Sequence, residues 1–119
     1  MVEITDEVMQ ARLATVRSYC LVLLRKGPAY QPQATRPPEQ AKIVHEHGRR
    51  NMQLSAEGKI ALVGPIAAGG EIVGMSIFSV GEKETRALME GDGAVRAGIF
   101  VYDVATFYGF PGDGLPPSA

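Results

Sequence analysis

The sequence has one cysteine, two histidines, almost no net charge and no long apolar run, and each shortage removes a class of function. Cys20, alone in an apolar segment, forms no intrachain disulfide and no paired-cysteine metal or redox site, so inert packing is its expected use. His45 and His47 stand two residues apart. On a helix they face different ways and cannot make the i, i+4 pair of a helical zinc motif, and no metal site is expected. A net charge of −1 supplies no basic field for nucleic acid or for an anionic membrane surface. No apolar stretch reaches membrane-spanning length, and Met1–Val16 is too polar and acidic for a signal peptide, so a cytoplasmic location is expected. Phosphate and dinucleotide cradles open a helix, whereas Gly69-Gly70 precedes a strand, so no such cofactor is expected.

What is present suits a single folded domain. The chain has 119 residues, 45% of them hydrophobic and 21% charged, enough for one core and not for two. Leu54 to Pro65 sets the frame: the end of a helix, a stop at Gly58, the apolar run Ile60–Val63, and Gly64-Pro65. Before it, Thr5-Asp6-Glu7 begins a short helix with Thr5 as its cap, too poor in apolar positions to be more than a peripheral arm. Ser18 to Arg25 reads as a central strand buried on both faces, closed by Lys26-Gly27-Pro28. Ala29 to Pro38 carries three prolines and no periodicity, and is a loop of a length that usually has a task.

A helix runs from Pro38 to Gly58, with Ala41, Val44, Gly48, Met52 and Ser55 near one face and His47, Asn51 and Leu54 on an adjacent line. A Gly-rich turn leads to a strand over Val73–Val80, and Glu82–Glu90 is the next helix, broken at Gly91-Asp92-Gly93. Ala94 to Gly98 is a turn or short helical piece. The last strand, Ile99–Val104, extends toward Tyr108. The expected division is an arm over 1–17, a domain over 18–108 and a flexible tail over 109–119 that folds only against a partner or not at all. The order strand, helix, strand, strand, helix, strand predicts an α+β, ferredoxin-like βαββαβ fold, an antiparallel sheet with helices on one face. Its other face, rich in large apolar residues, predicts a homodimer.

Several segments together resemble the YCII-related family of the dimeric α+β-barrel superfamily. They are Leu21 to Pro28; His47 ahead of Leu54-Ser55-Ala56-Glu57-Gly58-Lys59; Gly64-Pro65; Ala87 to Asp92 with Ala94 to Gly98; and Phe107-Tyr108-Gly109. Coverage runs from about Tyr19 to Tyr108. The chain departs from the family pattern at Gly93, where a proline is usual, at Phe107, where tryptophan is usual, and at Ala105, often a histidine. The resemblance implies a homodimer with a small pocket between helix and sheet, holding His47 and Asp92 as a pair. It also implies relatives that remove chloride from chlorinated hydroxyquinols or isomerise muconolactones.

A carboxylate beside an imidazole fixes its tautomer and lets the free nitrogen take a proton, which is acid–base chemistry. The resemblance therefore implies a cofactor-independent enzyme doing elimination or isomerisation on a cyclic or aromatic small molecule. His47 would be the base or acid and Asp92 its orienting partner. By spacing alone, a lone helix histidine is more often structural, and Asp92 suits a plain helix cap. Arg25, at the end of its strand, either holds a substrate anion or joins a surface ion pair. Tyr30 and Tyr108 either line the pocket or pack elsewhere. The competing function is a non-catalytic small-molecule-binding or accessory dimer.

Overall fold

The structure, a computed structural model, describes residues 1–117. Its elements run α1 (Asp6–Leu13), β1 (Arg17–Lys26), α2 (Pro38–Ala56), β2 (Ile60–Pro65), β3 (Ile72–Phe78), α3 (Glu82–Glu90), α4 (Gly93–Arg96) and β4 (Phe100–Gly109). The four strands form one antiparallel sheet in the order β2-β3-β1-β4. With α2 crossing from β1 to β2 and α3 from β3 to β4, this is the ferredoxin-like βαββαβ arrangement.

Strand alternation sorts the two faces. In β1, Cys20, Val22 and Leu24 are buried while Leu21, Leu23 and Arg25 are only partly so. The register sets Val22 opposite Ser76 and Val104, and Leu24 opposite Gly74 and Tyr102. Those positions face the helices. The buried core joins Val22, Leu24, Phe78, Ile60 and Phe100 to Leu54 of α2, Met89 of α3 and Ala94 of α4. Tyr19, Leu21, Leu23, Leu62, Met75 and Ile77 lie on the opposite, helix-free face. The expectation that β1 is buried on both faces is corrected: one face is closed by helices and the other is half-open.

The joint between α2 and β2 forms as the residues demand. Gly58 takes φ of 80°, and the N–H groups of Gly58 and Lys59 donate to Ser55 O and Leu54 O at 3.0 and 2.9 Å. A left-handed residue closes the helix end, and only glycine adopts it freely. β3 stops two residues before the expected Val80. The Ser79 hydroxyl and N–H turn instead to Gly58 O and Lys59 O, at 2.5 and 3.0 Å.

Thr5 caps α1 through the Val8 N–H at 3.2 Å, and α1 buries no residue. The radius of gyration is 16.8 Å, against about 13.5 Å for a compact chain of this length, so the arm projects. The expected tail is held in part by the chain itself. Arg12 of α1 forks onto Asp113 at 2.9 and 3.0 Å, its guanidinium lies 4.4 Å from the Phe110 ring centroid, and Asp113 N–H closes a turn onto Phe110 O. Residues 118 and 119 of that tail lie outside the described residues. Among the described residues, no helix is long and apolar enough to cross a membrane.

Candidate active site

A cleft of about 540 Å³ opens between α2, the loop before it and the helix-facing side of the sheet. That volume falls in the range of small-molecule pockets. Its walls include Val22 and Leu24 of β1, Val44, His47, Gly48 and Asn51 of α2, Val63 of β2, Ser76 of β3, Met89 of α3 and Phe100 of β4. Only a few polar groups interrupt the apolar lining.

His47 and Asp92 meet at its edge. The imidazole Nδ1 lies 2.5 Å from Asp92 Oδ2, and the two side chains are 12% and 3% exposed. Asp92 also caps α4: its Oδ1 accepts from the Ala94 N–H at 2.9 Å. The capping and pairing roles that the sequence set against each other are thus both filled, one by each oxygen. Capping holds the carboxylate fixed, and the carboxylate in turn holds the ring. Burial pushes the Asp92 carboxyl up, but the hydrogen bond and charge of His47, the Ala94 N–H and the charge of Arg50 together keep it below the usual aspartate value. Asp92 is therefore ionised at neutral pH and holds a proton on the Nδ1 that faces it.

The second ring nitrogen, Nε2, lies 3.2 Å from the Asn51 side-chain nitrogen. With Nδ1–H donating to Asp92, Nε2 is the acceptor of that bond. The ring of Phe100 sits 5.0 Å from the imidazole, tilted at 48°. Asn51 stands four residues beyond His47, so helical spacing alone makes them neighbours. That spacing was the one signal for Asn51. Phe100 carried none, since any apolar residue of the last strand served equally well.

Of the other expected site residues, only Tyr30 lines the cleft, its ring 6.1 Å from Phe100. Arg25 lies on the opposite face of the sheet, one residue past buried Leu24. Its Nε donates to Asp103 Oδ2 at 2.7 Å, and its NH1 lies 3.9 Å from Glu71. The surface ion pair, not the cleft, is its place. Tyr108 is 69% exposed and sits opposite Ser18, beside the arm and away from the cleft. His45 is exposed, with Nε2 3.3 Å from Arg49. The cationic residue that does line the cleft is Arg36, from the loop before α2. No group of three histidine, cysteine or acidic side chains suited to a metal ion occurs among the described residues.

No protein-family model and no curated protein sequence matches the chain. Among solved structures it is similar to 5-chloro-2-hydroxyhydroquinone dehydrochlorinase from Burkholderia phenoliruptrix AC1100, in complex with 2,5-dihydroxybenzoquinone. The identity is 18% and the TM-score 0.44, over 74% of this chain and 90% of that one.

Proposed function

We propose that the protein is a small cofactor-independent enzyme in which His47 moves a proton on a cyclic or aromatic small molecule bound in the cleft. The observation behind this reading is the 2.5 Å contact between a nearly sealed Asp92 carboxylate and an imidazole at the cleft wall. Asp92 fixes the tautomer and stabilises the imidazolium, and Nε2 accepts the proton. In an elimination, the C–H electron pair becomes the new double bond, the leaving group departs with its bonding pair, and the imidazolium later returns its proton to water. In an isomerisation, the same proton is given back at another carbon. The resemblance to the YCII-related family points the same way.

The second reading is a binding or accessory protein, and Asn51 favours it, because its amide occupies the lone pair that a base needs. A substrate entering the cleft must displace that 3.2 Å bond for catalysis to begin. We also propose that the helix-free face, with Leu21, Leu23, Met75 and Ile77, closes against a second copy of the chain.

His47→Ala separates the two readings. Assayed on chlorinated hydroxyquinols and muconolactones, it is expected to lower turnover about 10²–10⁴-fold with ligand affinity nearly kept. A binding protein would instead lose affinity and convert none of these compounds. Equal turnover by the normal and His47→Ala proteins would remove the mechanism.

A further inference from the structure

We infer that the cleft selects a ligand bearing a planar anionic oxygen on its ring, and that Arg36 is the residue that holds it; the inference rests on the cleft being the ligand site proposed above. Arg36 is the one arginine among the residues lining the cleft, which include no lysine, aspartate or glutamate. The rest of the wall is largely aliphatic, aromatic or glycine, which suits a flat apolar body.

Arg36 is half-buried and has no carboxylate within ion-pair distance among the described residues. Arg12, Arg25, Arg49 and Arg86 each have one, at 2.9, 2.7, 3.3 and 3.3 Å. Arg17, Arg50 and Arg96 have none in the same range among the described residues, but of these unpaired arginines only Arg36 lines the cleft. An unmatched cation facing an apolar cleft is a poor arrangement for stability and a good one for an anion.

The guanidinium is also held in place. Its Nε donates to Gln31 O at 3.0 Å, and its central carbon lies 5.4 Å from the Tyr30 ring centroid. The loop beneath it is pinned to α2 by Gln40, which donates to Ala29 O and accepts from the Gln31 N–H, both at 2.9 Å. With Nε committed to the backbone, the two terminal nitrogens remain for a ligand, in the fork geometry that matches two oxygens of a carboxylate or one shared phenolate oxygen. Anchoring one side of the ring on Arg36 limits which carbon can meet His47 Nε2. It also places a fixed cation where negative charge spreads through the ring as the proton leaves.

The test is a binding titration with matched probes, independent of turnover. Para-hydroxybenzoate is compared with para-hydroxybenzamide, and para-nitrophenolate with para-nitroanisole, by calorimetry or ligand-observed NMR. The anion of at least one pair is expected to bind about 10–100-fold more tightly than its neutral partner, the size of a hydrogen bond to a charged group. The pair with the larger ratio tells carboxylate from phenolate. Arg36→Gln is expected to erase the preference. Arg36→Lys, which keeps charge without the fork, is expected to retain part of it and guards against mere loop damage. His47→Gln is expected to keep the preference, so loss of the acid–base reading alone leaves this inference standing. Equal binding of anion and neutral partner, an undiminished preference in Arg36→Gln, or no binding by either pair would overturn it.

Discussion

Replacing Asp92 in two ways divides its two roles by size. Asp92→Asn keeps an oxygen for the Ala94 N–H but loses the charge-assisted bond to His47, worth about 1.5–3 kcal/mol. Asp92→Ala also loses the cap, a further cost of about 1 kcal/mol, and leaves two buried donors without partners. The unfolding entropy of a chain this long is about 0.25 kcal/mol/K. The melting temperature should then fall by about 6–12 °C for Asp92→Asn and by about 4 °C more for Asp92→Ala. Thermal unfolding followed by circular dichroism at neutral pH measures both.

Acid gives an independent check on the same residue. The folded-state pKa of Asp92 is lowered, so its contribution is complete above the unfolded aspartate value of 3.8 and is lost as pH falls through the lower folded value. The gap between the normal protein and Asp92→Asn should thus close as pH falls below about 4. An Asp92→Asn protein as stable as the normal one at neutral pH, or a gap that fails to close as the pH is taken well below about 4, would refute the reasoning.

Two further outcomes follow from the same geometry. Gly48 lies in α2 on the cleft wall with nothing within 4 Å of a Cβ built there. Gly48→Ala should stabilise the helix by about 0.5–1 kcal/mol, whereas Gly48→Phe should fold and yet abolish probe binding, and a Phe variant that binds normally would mean that ligands sit elsewhere. On the other face, Leu23→Glu should convert a sedimenting dimer to a monomer at micromolar concentration, because it sets an acid beside Met75 and Asp103 in the register. A normal protein that sediments as a monomer would remove the proposed dimer.

Where a residue's role follows from local spacing, the sequence is a sufficient guide. Glu82–Glu90 is helical end to end, Gly58 closes α2, and His47 and Asn51 are neighbours because four residues separate them. Asp92 was legible as a cap from its place after a helix break. That it also meets His47, 45 residues away, depends on how α4 packs against α2, and only the family resemblance hinted at it.

The two arginines show where such reading fails. Reading β1 as buried on both faces discarded its phase, and phase decides where Arg25 goes. Once Leu24 is known to face the helices, a period of two sends Arg25 to the other side, where Asp103 awaits it on β4. Arg36 had no phase to read. It follows Pro32 and precedes Pro37 in a stretch without periodicity, and its direction is set by a bond within the loop to Gln31 O, the loop itself being tied to α2 by Gln40. A guanidinium bound by a carboxylate and one left without a counter-charge look alike in a sequence. The free one is the better candidate for recognition, because a ligand anion then need not displace an internal partner.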